Sequence, residues 1–201
     1  QQSQSTRSHE RTRNTPALHT RATLGYSTGY RGSAFNGFAF APDEFTSVEP
    51  EELSAWEFGF KSTLQDGRTR LNGAMFRYNY ENQQFLIFDA GLQFLLNAGE
   101  SEIQGLELQL TTQATEKMTI NAGIGLLDAE YVNMSYAGAD LSGNTLPSSP
   151  ETNVNIMVDY DLWESDSLWV QFHYDANYIS KQYFEPFNDD RLAQPGYSIH
   201  N

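Results

Sequence analysis

The chain lacks several features that would each point to a class of protein. None of its 201 residues is cysteine, so it can form neither a disulfide framework nor a thiolate metal site or nucleophile. No apolar run reaches the ~18 residues of a membrane-spanning helix. The net charge of -14 argues against a nucleic-acid partner, because phosphate binding needs clustered Lys and Arg. Basic residues are scarce after Arg77, where only Lys117, Lys181 and Arg191 follow.

The N-terminal segment lacks apolar residues. Residues 1–16 are polar and rich in arginine, and they follow no strand or helix period. They contain no hydrophobic stretch of a signal peptide, so we expect either that one has been removed or that the chain is part of a longer one. We predict a poorly ordered segment over 1–16 and a folded part over 17–201.

Alternation of apolar and polar residues is what the chain has in abundance. Two stretches between Asn153 and Tyr178, joined by a short polar turn, place side chains of opposite character on the two faces of an extended strand. The apolar set is Val154, Ile156, Val158, Tyr160, Leu162, Leu168, Val170, Phe172, Tyr174, Ala176 and Tyr178. In a soluble protein this face would point to a core. In an outer-membrane barrel it would contact lipid, and the polar face would line an aqueous lumen.

The same alternation recurs along the chain and predicts about seven long strands. We expect short turns at Asp66-Gly67, 115–117 and 164–166, and long loops at 32–53, 85–101, 132–151 and 179–196. The strand that follows Asp66-Gly67 should reach Gln84, and its aromatic residues should form a rim on one face: Phe76, Tyr78 and Tyr80. Short turns that alternate with long loops are typical of a bacterial outer-membrane barrel, with the short turns in the periplasm.

The reactive side chains favour no particular chemistry. His173 with Asp175 could meet a ligand or a metal, but we favour a polar residue that faces the lumen. Paired acids could serve glycoside hydrolysis, or an acid in a loop could hold Ca²⁺, yet subsite patterns and calcium-loop spacing are missing. These acids are Glu51-Glu52, Asp159 with Asp161, Asp189-Asp190 and Asp140. We therefore expect no catalytic residue, no metal site and no cofactor, and we assign no ligand-binding residue.

Aromatic residues near strand ends suggest a further role. Trp56, Trp163 and Trp169 suit the aromatic belt of a membrane interface, with ordinary strand aromatics as the alternative. The Tyr30-Arg31 pair and the long loops could contact an incoming solute, because loops on a rigid scaffold often carry function.

Four segments resemble the C-terminal part of the β-barrel of TonB-dependent outer-membrane receptors. The segment GYSTGYRGSAFNG is similar to a family strand that ends in a Tyr-Arg-Gly…Phe-Asn element. Two hairpins resemble those of the family, PEELSAWEFGFKSTLQDGRTRLNGAMFRYNYENQQ and SEIQGLELQLTTQATEKMTINAGIGLLDAEY. The segment LPSSPETNVNIMVDYDLW resembles a strand that follows two prolines. These segments occur in the family's order and cover most of residues 24–201.

The resemblance implies an all-β, antiparallel transmembrane β-barrel in the bacterial outer membrane, without enzyme activity. It implies active uptake of a large scarce nutrient, most often a ferric siderophore, with outer-membrane lipid and TonB as partners. TonB would act through a plug domain, which like the TonB box and the final strand is not matched here. We therefore expect residues 17–201 to form part of a barrel of roughly 22 strands, and the chain to be a fragment.

Two alternatives stay open. One is a passive porin-like barrel without TonB coupling. The other, less favoured, is a soluble β-sandwich binding module, which would bury the face formed by Leu106, Leu108 and Leu110 in a protein core.

Overall fold

The computed structural model describes residues 19–37, 47–89, 92–97, 99–136 and 138–201, and most of these residues lie in strands. The predicted poorly ordered segment 1–16 lies outside them. The strands are β1 (His19–Arg31), β2 (Ala34–Phe35), β3 (Ser47–Val48), β4 (Glu51–Leu64), β5 (Thr69–Glu81), β6 (Gln84–Asp89), β7 (Leu92–Asn97), β8 (Glu100–Thr115), β9 (Met118–Asn133), β10 (Ser135–Tyr136), β11 (Ala139–Asp140), β12 (Thr152–Glu164), β13 (Trp169–Ile179), β14 (Gln182–Tyr183), β15 (Ala193–Gln194) and β16 (Tyr197–His200). Single 3-10 turns span Gln65–Gly67 and Asp190–Leu192. Across these ranges no helix has the length and apolarity that a membrane crossing requires.

Eight of these strands form one antiparallel sheet. Its order is β1-β4-β5-β8-β9-β12-β13-β16, so each strand pairs with the neighbours that precede and follow it among these eight. Six of the eight have at least 13 residues, well above the usual strand length of about 5–6. The prediction of long antiparallel strands is therefore confirmed, and the short β16 is the eighth strand of the sheet.

Short turns lie at one end of this sheet, where the sequence predicts them. Between β4 and β5, Gln65 and Asp66 adopt positive φ angles of 52° and 57°, and Gly67 follows at 93°. Two residues connect β8 to β9, and four connect β12 to β13. Asn and Gly, and to a lesser degree Asp, adopt this left-handed region most readily, so the Asp66-Gly67 pair favours a tight turn here.

The other end of the sheet carries the long connections, and these contain strands of their own. Four two-stranded sheets form there, β2-β3, β6-β7, β10-β11 and β14-β15. The prediction of a loop over 85–101 is wrong, because β6 and β7 pair there as a hairpin. The predicted end of β5 at Gln84 is wrong as well. The strand stops at Glu81, since Asn82 turns the chain with a φ of 54°.

Glycine is required where this hairpin rejoins β8. Gly99 has a φ of +91°, and a Cβ atom on it would lie 1.8 Å from the backbone oxygen of Asn133. No other residue type satisfies both conditions, because side chains avoid this φ and such a contact. Gly99 thus fixes how the hairpin connects to the sheet.

Strand pairing sorts the side chains of the large sheet into an apolar and a polar face. Leu106 pairs with Met75 on one side and Leu126 on the other, and Val158 pairs with Ile120 and Tyr174. Phe172, on the same face, is 50% exposed. Leu106 and Val158 are only partly buried, and among the described residues no second sheet covers this face. The described strands therefore do not form a two-layer sandwich.

The most buried residues lie at the loop end, rather than beneath the sheet. Five buried apolar side chains form one cluster there: Ala129, Tyr131, Met134, Leu141 and Leu146. The Phe85 ring packs against it, 5.7 Å from the Tyr131 ring. Hydrophobic burial thus stabilises the long connections, whereas backbone hydrogen bonds hold the strands of the large sheet together.

Candidate functional site

The polar face of the sheet carries charges of both signs, and its Arg and Lys side chains are concentrated on three strands. Its basic side chains lie on β1, β4 and β5, where Arg21 pairs with Lys61 across two strands, with Arg70 nearby on β5. Its acids on the later strands are Glu107, Asp159, Asp161 and Asp175. A cavity of about 440 Å³ lies at the boundary, and its polar lining comes from Arg21, Thr23, Lys61, Asn72, Glu107 and Gln109. A polar solute against this wall would meet cationic groups on β1, β4 and β5, interspersed with Glu51 and Glu57 of β4, and acids on the later strands.

Neutral hydrogen-bonding groups occupy the middle of the same face. The Thr111 hydroxyl donates to the Asn121 side chain at 2.9 Å. Asn155 covers Gly123, since a Cβ on Gly123 would lie 2.7 Å from the Asn155 amide nitrogen. No atom lies within 4 Å of a Cβ built on Gly125, so the surface there is recessed and open.

His173 bridges two carboxylates on the polar face. Its Nδ1 lies 2.7 Å from Asp159, and its Nε2 lies 3.3 Å from Asp175. Because the two ring nitrogens point to different acids, the three residues do not converge on one point as metal ligands would. In the parts of the chain that the structure describes, no group of three His, Asp or Glu side chains suits a metal ion.

The other acids that the sequence singles out also have local partners. Asp161 accepts from the indole of Trp169 at 3.0 Å and from Gln171 at 3.2 Å. Glu51 and Glu52 are neighbours in β4 and so point to opposite faces. Asp140 accepts from the Ser142 backbone at 3.0 Å, and hydrogen bonds from Ser142 lower the pKa of its carboxyl. Asp161 and Asp140 are thus engaged with local partners, and Glu51 and Glu52 are separated by the sheet.

Three aromatic residues of β5 lie on the polar face. The rings of Phe76 and Tyr78 stack with centroids 5.1 Å apart, and the Tyr78 hydroxyl donates to Glu57 at 2.5 Å. Phe76, Tyr78 and Tyr80 do share a face, as expected. That face is the polar one, which Glu57 and Glu107 share. Met75 pairs with Leu106 on the apolar face, so its neighbour Phe76 must lie on the polar face.

The predicted belt residues separate in the same way. Trp56 is 52% exposed on the apolar face and contacts the Tyr26 ring at 4.7 Å. Trp163 is 60% exposed and pairs with Val170 of that face, after an irregularity in β12. Trp169 instead donates its indole N–H to Asp161 on the polar face. Two of the three tryptophans thus lie exposed on the apolar face, and their place in an interfacial belt stays a prediction.

Tyr30 and Arg31 do not act as a pair. They are consecutive residues of β1, so Tyr30 lies on the apolar face and Arg31 on the polar face. Tyr30 is 84% exposed, and the Arg31 guanidinium lies 3.9 Å from Glu51. Of the two, only Arg31 faces the polar side.

Two long connections at the loop end are joined by hydrogen bonds. We call residues 133–150 and 179–196 the paired loops. The Asn188 side chain accepts from the Thr145 N–H at 2.7 Å and donates to the Thr145 carbonyl at 2.9 Å. The Asn144 amide donates to the Pro186 carbonyl at 2.9 Å, and the Ser148 N–H donates to the Tyr183 carbonyl at 2.7 Å. The paired loops therefore form one cover over this end of the sheet.

Ion pairs hold the outer part of the second loop. Lys181 lies 2.5 Å from Asp190, and this contact raises the pKa of Lys181 and lowers that of Asp190. Asp189 pairs with Arg191 through the guanidinium and the backbone N–H. These hydrogen bonds lower the pKa of the Asp189 carboxyl to about 2. Both acids of this candidate pair are thus engaged within their own loop.

Comparison with known proteins gives the family. A family model described as "TonB dependent receptor-like, beta-barrel" matches residues 14–201. The chain belongs to this family. Such receptors lie in the outer membrane of Gram-negative bacteria. The apolar face of this TonB-dependent receptor wall is therefore its lipid-facing outside, and the polar face bounds the lumen.

Individual receptors resemble this one over part of their length. The probable TonB-dependent receptor BfrD of Bordetella pertussis (strain Tohama I) is 32% identical over 141 residues, which are 68% of this chain and 18% of BfrD. The probable TonB-dependent siderophore receptor PiuA of Acinetobacter baumannii is 31% identical over 121 residues, 56% of this chain and 16% of PiuA. The chain thus spans less than a fifth of these curated relatives.

A solved receptor has the same fold. The ferric yersiniabactin uptake receptor FyuA from Yersinia pestis superposes with a TM-score of 0.70 at 19% identity, over 90% of this chain and 26% of FyuA. The eight-stranded sheet is therefore a section of a larger receptor barrel. The short turns then lie on the periplasmic side and the paired loops on the extracellular side.

Proposed function

We propose that the receptor containing this chain takes up a ferric siderophore across the outer membrane, with TonB as its partner. The family match over 14–201 carries the proposal. PiuA, a relative in sequence, is named a probable TonB-dependent siderophore receptor, and FyuA, a neighbour in fold, is named a ferric yersiniabactin uptake receptor. Within such a receptor, this chain forms part of the barrel wall, a hydrogen-bonded sheet with one face towards lipid and the other towards the hydrated lumen.

The aromatic residues on the lumen side are the best candidates for contact with the solute. Phe76, Tyr78 and Tyr80 lie in the half of β5 nearer the long loops. Their rings offer flat apolar surface, and Glu57 adds a carboxylate through its bond to Tyr78. This combination suits a large polar solute that also carries ring systems.

Uptake of iron tests the proposal. The full receptor would be produced in cells that lack their own siderophore receptors, with and without TonB, and supplied with ⁵⁵Fe-loaded siderophores. We expect TonB-dependent accumulation of at least one siderophore, several-fold weaker with Tyr78→Ala. Tyr26→Ala, on the lipid side of the wall, is the matched control and should leave uptake unchanged. Accumulation that is independent of TonB would instead identify a passive porin-like barrel.

A further inference from the structure

Small side chains leave a recess in the lumen face of β1, β4 and β5. Strand pairing places Thr23, Gly59 and Ala74 side by side in one row, next to Glu107 of β8. Two cavities of about 440 Å³ and 380 Å³ share these four residues in their lining. The cavities are therefore two ends of one concave surface, which we call the wall recess.

The periplasmic end of the wall recess is cationic. The next row towards the periplasm pairs Arg21 with Lys61, and Lys61 with Asn72. Like charges on directly opposite positions of neighbouring strands repel each other. In the described part of the chain, neither Arg21 nor Lys61 forms an ion pair with a carboxylate. An anionic group of a bound molecule would remove this repulsion, so the pair suits a carboxylate.

The extracellular end of the wall recess combines acids with aromatic rings. Glu57 pairs with Phe76 on β5, and the Tyr78 hydroxyl donates to Glu57 at 2.5 Å. Glu107 lies one row closer to the periplasm, and within the described ranges no basic side chain forms an ion pair with either acid. Aromatic faces attract ammonium groups, and a carboxylate beside them adds a charge-assisted hydrogen bond. This end therefore suits a protonated amine.

The sheet holds the opposite charges of the two ends apart. Glu57 and Lys61 are four residues apart on β4, which is about 13 Å along an extended strand. Three strand steps separate Arg21 on β1 from Glu107 on β8, which is about 14 Å. The charges are thus available to a single molecule that carries opposite charges at its two ends.

We propose that the wall recess binds a siderophore that carries a free carboxylate and a free amine in addition to its iron-chelating groups. The carboxylate lies between Arg21 and Lys61, and the amine lies against Glu57, Glu107 and the ring of Phe76. This inference rests on the proposed function, because it names the class of siderophore that the receptor takes up. An uncharged or uniformly anionic chelate would leave at least one end of the recess without a counter-charge.

Binding of matched ferric complexes to the full receptor tests the inference. The chelating core would be that of a siderophore that the receptor accumulates in the iron uptake experiment described above. It would be prepared with both free groups, with the amine acetylated, and with the carboxylate converted to an amide, and quenching of tryptophan fluorescence would give the affinities. We expect the complex with both groups to bind about ten-fold more tightly than either capped form, because each cap removes a charge-assisted hydrogen bond.

Variants without a charge assign each end of the recess. Lys61→Gln should weaken binding of the complex with both groups about ten-fold and leave binding of the amide form unchanged, because that form has no carboxylate to lose. Glu107→Gln should likewise leave the acetylated form unchanged. Arg68→Gln removes a cation beside the periplasmic turn after β4, and this matched control should bind every form like the wild type. If Lys61→Gln lacks the heat-resistant mobility of the folded barrel in gel electrophoresis, Arg21→Gln replaces it.

Three results would overturn the inference and leave siderophore uptake in place. The first is equal affinity for the free and the capped complexes, and the second is unchanged binding in both recess variants. The third is a loss of affinity in Lys61→Gln or Glu107→Gln that is the same for every form, which would mean that the recess supports another segment of the receptor rather than the solute. If no siderophore accumulates in the uptake experiment, the proposed function itself fails.

Discussion

At the scale of single residues, the space around a side chain, as well as its polarity, decides which substitutions the sheet tolerates. Gly105 and Gly125 both face the lumen, and the sequence gives no reason to rank them. A Cβ on Gly105 would lie 2.5 Å from the Phe76 ring and 2.7 Å from the Leu126 carbonyl oxygen, whereas Gly125 is open. One glycine therefore accommodates a neighbouring ring and strand, and the other leaves a recess.

Replacement of these glycines by alanine should have unequal effects. Gly105→Ala should lower the free energy of unfolding by about 1–3 kcal/mol, because the added methyl group meets backbone that cannot move aside. Gly125→Ala is the matched control and should change it by less than about 0.5 kcal/mol. Urea unfolding of the receptor in lipid vesicles measures both. Equal stability of the two variants would contradict the contact at Gly105.

The ion pair between Asp189 and Arg191 gives the second loop a defined pH dependence. Because the pKa of Asp189 is lowered from its ordinary value near 3.8 to about 2, the folded loop favours the ionised form. This stabilisation is fully present above about pH 4 and is lost as the pH falls through about 2. Hydrogen–deuterium exchange of residues 185–194, corrected for intrinsic rates, should therefore show that protection falls between about pH 4 and pH 2 and not above.

The control for this titration is Asp189→Asn, which cannot ionise. Its exchange should be faster than that of the wild type at neutral pH, and the part of the pH dependence due to this carboxyl should be gone. A wild-type loop that keeps full protection below pH 2 would contradict the assigned role of the ion pair.

At the scale of elements, the long connections are folded units. The paired loops bond to the sheet through the first loop, where the Leu146 N–H donates to the Ala129 carbonyl at 2.9 Å and the Tyr131 N–H donates to the Asn144 carbonyl at 3.0 Å. The second loop then attaches to the first through Asn188 and Pro186. Mobility of the second loop is therefore limited by its contact with the first.

Asn188 should be the residue on which this attachment depends. Its φ of 55° favours Asn or Gly, so Asn188→Gly keeps the backbone conformation and removes both side-chain bonds to Thr145. We expect the local free energy of opening of 179–196 to fall by about 1–3 kcal/mol, seen as faster hydrogen exchange there and little change in β12 and β13.

Thr145→Ala is the matched control for this variant. Asn188 bonds only to the backbone of Thr145, so loss of the threonine side chain should leave the second loop protected. If Asn188→Gly exchanges no faster than Thr145→Ala, the two loops are held together by other contacts.

At the scale of the whole molecule, the apolar band crosses the sheet diagonally. Hydrogen-bonded pairing links Phe60 on β4, through Gly73, Leu108 and Ile124, to Val154 on β12. Phe60 ends the band on β4, whereas on β12 it continues to Tyr160. Tyr160 lies six residues beyond Val154, and four strand steps separate β4 from β12. At its extracellular limit the band begins at Trp56 on β4 and at Val154 on β12, which is a shift of four residues over the same steps.

This offset gives the tilt of the strands in the membrane. A shift of one to one and a half residues per strand, at about 3.4 Å per residue and about 4.8 Å between strands, corresponds to a tilt of roughly 35–45°. Transmembrane barrels have tilts in this range. The boundary of the apolar band in the sequence, combined with strand pairing, thus records the orientation of the wall.

Two neighbouring residues of β12 test this orientation. Ile156 lies near the middle of the band on the lipid side, and Asn155 lies on the lumen side. Ile156→Arg should cost about 2–4 kcal/mol of folding free energy in lipid, whereas Asn155→Arg should cost far less. Unfolding in vesicles of known thickness measures both, and equal costs would contradict the assignment of the two faces.

Several features of the fold follow from the sequence alone. Alternation along 154–162 and 168–178 gives the strands and their two faces, because a period of two is fixed by the extended backbone. Asp66-Gly67 gives the turn, because its backbone conformation is local. The family of the receptor also follows, since four segments occur in the family's order.

Other features were decided only by tertiary structure. Both faces of β5 carry apolar residues, so pairing with Leu106 was needed to place Phe76 and Tyr78 inside the lumen. The partners of the long loops were also unpredictable, because the bonds of Asn188 and the burial of Tyr131 join residues far apart in the chain. A local pattern can fix the path of the backbone, but only the folded sheet determines which distant groups meet.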